Sequence, residues 1–284
     1  MIKPPYRVIA LLVARATMLA YPELVPALVD RLGARKVRVL LTVLPHEGDS
    51  RPAVAELGGL AVDGIVSAVR LDEDDLRALS DRGLPVLLYN CHAQQPSCDS
   101  VSCDHGACGH LLADQLLRGG HRRFGIIAAP RDSLVGVERV AGAMDTLRRR
   151  DALTVEVEVG DYSYASGAAA LDALFARMKP RPSAIIAAND AMAIGALDRA
   201  RQLKARVPRD LSIVGIDGTG TAALPSYELT TVRQPLDRMA DAACELLLQR
   251  FAQPGRAAEV RLFGGELIRG RTARFRPRRA PTPG

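Results

Sequence analysis

At 284 residues, 48% hydrophobic and 25% charged, the chain exceeds one average domain and has the balance of a globular protein, which excludes a disordered or fibrous one. Trp is absent and aromatics total 4%, so the core must be built from Leu, Val, Ile and Ala. The net charge of +6 is uneven: Arg261, Arg269, Arg271, Arg274, Arg276, Arg278 and Arg279 face a single acid, Glu266, and residues 276–284 read as a disordered, Pro-rich basic tail.

The first predicted element is a strand over Val8–Ala14. This run is too short to span a membrane and lacks a signal-peptide cleavage pattern. With five cysteines, an odd number, the chain fits reduced thiols in the cytoplasm. Tyr21-Pro22-Glu23 reads as the start of a helix continuing through Leu24–Leu32. Further strands are expected at Lys36–Val43, Gly64–Ser67, Val86–Tyr89, Phe124–Ala128, Val155–Val159, Ala184–Ala188 and Ser212–Ile216. Amphipathic helices alternate with them: Asp74–Arg82, Gly106–Arg118, Glu138–Arg149, Ala165–Met178, Ala191–Leu203 and Leu236–Phe251. Gly33, Gly83 and Gly119-Gly120 stand where helices end on a left-handed residue. Continuously apolar strands alternating with helices predict doubly wound parallel sheets, whose ligands sit beyond the carboxyl ends of the strands.

Catalytic signatures are missing. There is no GxSxG elbow, P-loop or HExxH, and Ala14-Arg15-Ala16-Thr17 stands where a dinucleotide fingerprint would follow the first strand. The expectation is a non-enzyme without cofactor. Cys91, His92, Cys98, Cys103, His105, Cys108 and His110 fall within twenty residues, but without a CxxC and across a strand end and a helix start. That spacing is against a metal site.

Residues after predicted strands carry the binding chemistry. Asn189 and Asp190 open a helix, where a short polar side chain caps free N–H groups. Asp217 ends a strand before Gly218; it can cap the turn or accept two hydroxyl hydrogen bonds. Arg139, one residue into its predicted helix, reads by position as a surface arginine, although its planar donor fork could serve hydroxyls or a carboxylate if the resemblance given below places it at a ligand.

Eight segments in order carry a resemblance: VDGIV (62–66), DRGLPVLLYN (81–90), GHRRFGII (120–127), ERVAGAMDTL (138–147), AIIAANDAMAIGAL (184–197), VPRDLSIVGIDGT (207–219), LTTVRQPLDRMADAACELLLQR (229–250) and GELIRGRT (265–272). From Tyr6 to Thr272 the chain resembles the effector-binding core of the lactose/galactose-repressor (LacI/GalR) transcriptional regulators. The resemblance implies two periplasmic-binding-protein-like lobes that close around a small molecule; the candidate residues would suit a sugar, a sugar acid or a nucleoside, with a sugar or related polyol as the first expectation. The lobes would be joined by three crossover segments near Ser102–Asp104, Thr231–Gln234 and Leu262–Gly265. The N-terminal lobe would comprise residues 5–102 plus 234–262, the C-terminal lobe 103–233 plus 263–275.

It places ligand contacts at Tyr21, Asn90, Ser133, Val135, Arg139, Tyr162, Asn189 and Asp217. Tyr21 and Tyr162 match aromatic positions that cover a sugar or base face. Asn90 stands where relatives often carry Asp, which puts the usual ligand polarity in doubt. Alanine at Arg139 or Asp217 is expected to abolish ligand-induced stabilisation without unfolding the protein.

Relatives begin with a helix-turn-helix headpiece that reads operator DNA, and Met1–Pro5 is too short to form one. The expectation is a segment of a longer repressor, ahead of a natural headless homologue. Homodimerisation is implied too, with helices Ala53–Leu60 and Asp74–Arg82 as candidates for part of the contact. The alternative is a solute-binding protein of a transport system with the same fold.

Overall fold

The computed structural model describes residues 6–275 except 47, 49, 58, 92–96, 151 and 153. Met1–Pro5, His92 and the tail 276–284 lie outside the described residues. The chain divides into two compact units: 1–104 with 132–135 and 234–265, and 105–131 with 136–233 and 266–284.

The first unit holds β1 (Arg7–Ala14), α1 (Arg15–Ala20), α2 (Leu24–Ala34), β2 (Val37–Leu44), α3 (Ser50–Leu57), β3 (Gly64–Ser67), α4 (Glu73–Asp81), β4 (Val86–Tyr89) and β5 (Asp99–Cys103). The second holds α5 (His105–Arg118), β6 (Arg123–Ala128), α6 (Leu134–Arg149, beyond its first two residues), β7 (Thr154–Val159), α7 (Tyr164–Arg177), β8 (Ala184–Ala187), α8 (Asp190–Gln202), β9 (Ser212–Asp217) and β10 (Thr230–Arg233). The chain then adds α9 (Leu236–Ala252) and β11 (Val260–Phe263) to the first unit, and β12 (Glu266–Ile268) to the second.

Each unit is built on a six-stranded sheet, in the orders β11-β5-β4-β3-β1-β2 and β12-β10-β9-β8-β6-β7. Every pairing is parallel except β10 with β12. The doubly wound α/β expectation holds. The central strands β3, β4 and β8 are buried along their whole length because helices cover both faces. The cores are aliphatic, with Leu12, Ile65, Leu79 and Leu88 in the first unit and Ile127, Leu171, Leu174 and Ile213 in the second.

Several local expectations need correction. β1 runs directly into α1, so Tyr21 ends that short helix and α2 starts only at Leu24. Pro22 disfavours helical geometry at the residue before it, and Tyr21 sits at φ −136°. Gly33 lies inside α2, and the left-handed residue after that helix is Lys36 at φ 59°; Gly83 and Gly120 do take positive φ. α3 covers Ser50–Leu57, not Ala53–Leu60. Four strands, β5, β10, β11 and β12, went unpredicted. β5 (DSVSC) and β10 (TTVR) are rich in Ser and Thr, so no apolar run marks them although β5 is wholly buried.

Two glycines bring α6 onto α5. A Cβ on Gly142 would stand 2.0 Å from the Gly106 carbonyl oxygen, and one on Gly109 2.0 Å from that of Arg139. Only hydrogen side chains allow that approach, and it presses the Arg139 turn against the start of α5.

His121 follows α5 and is 3% exposed, held between the Ser183 and Ser212 hydroxyls at 3.2 and 3.1 Å. Burial, then the positive charge of Arg274, pulls its pKa from 6.5 down to about 4. As pH falls below 6.5 the unfolded chain takes up this proton and the folded chain does not. Stability is therefore full above pH 6.5 and declines as pH drops toward 4, by roughly 2 kcal/mol once partial solvent screening is allowed for. Urea midpoints at pH 7 and pH 4.5 check this: His121→Gln should lose less stability across the interval than the wild type. Equal losses would remove His121 as the cause.

Candidate functional site

In the second sheet the strand order reverses between β6 and β8, and the crevice at such a switch point is where a doubly wound sheet takes ligand. Arg139 reaches this place from the second turn of α6, because the helix begins at Leu134, four residues earlier than expected. It is not a surface arginine. Its side chain is 4% exposed and every nitrogen has a partner: Nη1 donates to the Ala188 carbonyl at 2.7 Å, Nη2 to Asp217 Oδ1 at 2.8 Å and Nε to His105 Nδ1 at 3.3 Å. Burial acts to lower the Arg139 pKa. The Asp217 carboxylate, with smaller help from Tyr162 and Cys108, outweighs it and holds the guanidinium above its ordinary value. Because Nε–H donates to His105 Nδ1, the imidazole proton belongs on Nε2.

Asp217 closes β9 at φ 138°, and Gly218 follows at φ 74°. A Cβ on Gly218 would lie 2.5 Å from that of Arg233, so the turn that aims Asp217 requires glycine. Tyr162 also has positive φ, 69°, and its carbonyl accepts from Asn189 Nδ2 at 3.0 Å. Residues held in sparsely populated backbone regions cluster at functional sites. Asn189 caps α8, its Oδ1 accepting the Met192 N–H at 3.0 Å. Its amide is engaged at both ends, so the capping reading holds and orients Tyr162 as well.

The structure thus brings Arg139, Asp217, Tyr162 and Asn189 together within the second unit. In the first unit, Asn90 follows β4 in the left-handed conformation at φ 60° and is buried; its N–H donates to the Val101 carbonyl at 2.8 Å. Tyr21 is buried after α1. Ser133 and Val135 belong by their contacts to the first unit, where Ser133 is buried and Val135 packs on the aliphatic cluster of Leu12 and Val69.

Two residues that the sequence did not place among the ligand contacts also belong here. His105, wholly buried at the start of α5, is a direct partner of Arg139; its only signal was membership of the Cys/His cluster. Asp190 is 0% exposed and accepts from the Thr219 N–H at 2.8 Å, the Thr219 hydroxyl at 3.2 Å and the Thr231 hydroxyl at 2.6 Å. Burial raises its pKa even against those donors. It ties the turn after Asp217 to β10. Among the described residues no three His, Cys, Asp or Glu side chains are grouped to hold a metal ion, and the five cysteines are free.

Residues 113–273 match the family described as periplasmic binding protein-like domain. A regulator from Streptomyces coelicolor, the HTH-type transcriptional regulator MalR, is 30% identical over 87% of this chain and 76% of its own length. The chain belongs to the LacI/GalR family. Its described residues form that family's effector-binding core. The HTH-type transcriptional repressor PurR of Klebsiella pneumoniae is 29% identical over 67% of this chain and 57% of its own length, so the chain matches little more than half of that relative. Among solved structures, the transcriptional regulator CelR–cellobiose complex is 26% identical, covering 95% of this chain and 86% of its own, with a TM-score of 0.83. Both curated relatives are described as regulators of transcription, and the LacI/GalR fold matches the two doubly wound sheets seen here.

Proposed function

We propose that this chain is the effector-sensing and dimerisation domain of a transcriptional regulator, that it performs no catalysis, and that its effector is a neutral carbohydrate or related polyol. The neutralised Arg139–Asp217 pair carries this reading. A buried guanidinium already matched to a carboxylate offers no net charge for a sugar acid, whereas the pair and its surroundings suit hydroxyls that both donate and accept. Asn90, an amide where relatives often have a carboxylate, also lacks charge. Tyr162 supplies an aromatic face of the kind that packs on sugar C–H groups. The cellobiose complex of CelR supports the same class. Tyr21, Asn90, Ser133 and Val135 are assigned to the effector with Arg139, Tyr162, Asn189 and Asp217.

Effector binding would act on operator DNA through a helix-turn-helix headpiece N-terminal to this core, in a homodimer, by shifting the population of two states. Membership of a regulator family favours this over the solute-binding alternative.

Thermal shift against cellobiose, ribose, glucose, glucuronate and guanine tests the ligand class. A neutral sugar should raise Tm by several degrees at concentrations about a hundredfold above its Kd, the equivalent of about 2.7 kcal/mol. A response confined to glucuronate or guanine would overturn the neutral-carbohydrate reading.

A further inference from the structure

The first unit contains a cavity of about 530 Å³ at the opposite, amino-terminal edge of its own sheet, where β1, β4 and β5 begin. One wall is apolar, formed by Leu76 of α4, Leu84 and Pro85 before β4, and Phe251 of α9. The other carries three guanidinium groups, Arg7, Arg250 and Arg256, against two carboxylates, Asp63 and Asp99.

Part of this polar wall is explained by the fold. Arg250 grips both oxygens of Asp99 at 3.0 Å and donates Nη1 to the Pro254 and Arg256 carbonyls, stapling the turn after α9 to β5. Asp99 Oδ1 also accepts the Glu259 N–H at 3.0 Å. That carboxylate is 1% exposed and crowded with donors.

Arg256 and Arg7 are left poorly matched. Arg256 Nη2 lies 2.8 Å from Asp99 Oδ1 without hydrogen-bonding geometry, and its buried Nε has no acceptor among the described residues. Its Nη1 makes only contacts of 3.4 Å, to Ala257 O and Glu259 Oε2. Arg7 stacks over the Phe251 ring at 4.2 Å and stands 3.9 Å from Asp63 Oδ1, while Asp63 Oδ2 is engaged by the Val8 N–H at 2.8 Å. A staple accounts for Arg250 and Asp99. It does not account for the two further cations, Arg7 and Arg256, that line the cavity beside an aromatic wall.

We propose that this cavity is a second ligand site, taking a small organic anion whose carboxylate or phosphate head meets Arg256 and Arg7 and whose compact apolar body packs on Phe251, Pro85 and Leu76. Charge-assisted bonds from Arg7 and from the part of the Arg256 guanidinium that lines the cavity hold the head group, and the flat apolar wall selects against bare inorganic anions. Arg7 is the first residue of β1, so an occupant engages the chain where it enters the sheet. The site is independent of the carbohydrate reading, since it uses none of the same residues.

Benzoate and phenyl phosphate are the probes, with benzamide as the neutral counterpart and inorganic phosphate as the bare anion. Cys98 lines the cavity and is half-buried, whereas Cys91, Cys103, Cys108 and Cys244 are buried. Its alkylation by iodoacetamide, followed by intact mass, therefore reports occupancy beside the thermal shift. Benzoate or phenyl phosphate at tens of millimolar should raise Tm and slow Cys98 alkylation about threefold or more, as expected when most sites are filled. Whichever of the two gives the larger effect identifies the head group. Benzamide and inorganic phosphate should do neither.

Ser80→Trp, an exposed position on the α4 wall, should fill the cavity and abolish both effects; Arg256→Gln should abolish them by removing the charge. Asp217→Asn should retain them, which separates this site from the carboxyl-end one. The proposal is overturned by no response to either organic anion, by an equal response to benzamide, or by a response that survives both Ser80→Trp and Arg256→Gln.

Discussion

Asp217→Ala is expected to lower the unfolding free energy by about 3–5 kcal/mol, because it strands a buried charge. Arg139 and Asp217 are each 4% exposed at the side chain and meet at 2.8 Å. Removing the carboxylate leaves a guanidinium whose remaining partners are a carbonyl and an imidazole, neither of which neutralises it. Arg139→Ala removes the cation that faces the buried Asp217 carboxylate and should also lower stability. The expectation that either alanine spares the fold therefore needs correction: the pair belongs to the core as well as to the candidate site. Asp217→Asn, which keeps an oxygen facing Arg139, should be milder than Asp217→Ala. Urea titrations with an unchanged m-value check the series. A loss under about 1 kcal/mol for Asp217→Ala would mean that water reaches the pair and that the burial argument is wrong. Any effector response must then be read against each variant's own Tm.

Asp190→Ala should cost about 3 kcal/mol, since it removes the acceptor of three buried donors at once. The Thr219 N–H is fixed by the backbone and has no other way to turn, whereas the two hydroxyls can rotate. Thr219 follows the Asp217-Gly218 turn, so the loss should also loosen Asp217 and weaken the effector-induced shift by about tenfold in apparent affinity, equivalent to 1.4 kcal/mol. Thr231→Val removes one hydroxyl from the same carboxylate and should give a smaller loss of stability, with the Asp217 turn intact. If Asp190→Ala binds effector as tightly as the wild type, Asp190 serves the sheet alone and does not position the site.

The alternation of apolar runs with amphipathic stretches made most of the architecture legible. Val86–Tyr89 and Gly64–Ser67 coincide with β4 and β3 because a strand buried on both faces must be apolar throughout. β5 and the first three residues of β10 are buried too, yet these strands hide in the sequence. Their Ser and Thr side chains are small, and several bond to backbone: the Ser102 hydroxyl donates to the Cys103 carbonyl, and the Thr230 hydroxyl accepts from the Gly270 N–H. Polar residues satisfied in this way can be buried without an apolar signature.

The candidate site was legible as a set of positions after strands, and Asn189 as a cap followed from local rules alone. What a linear reading could not supply was the partner of each group. Arg139 and Asp217 are 78 residues apart, and only the parallel order of β6, β8 and β9 brings the α6 side chain to the end of β9. In the sequence His105 is one member of a Cys/His cluster and Asp190 shares a helix start with Asn189. The close approach of α5 and α6 at Gly106, Gly109 and Gly142 turns the first into a partner of Arg139, and the β9–β10 pairing turns the second into an anchor for Thr219 and Thr231.

By itself, then, the sequence determined an α/β chain of doubly wound sheets and the strand ends at which to look for a ligand, because periodicity and helix-stop chemistry are local. Only the tertiary structure decided the charge state of the candidate site, because neutralising a buried arginine depends on which carboxylate the sheet order delivers to it.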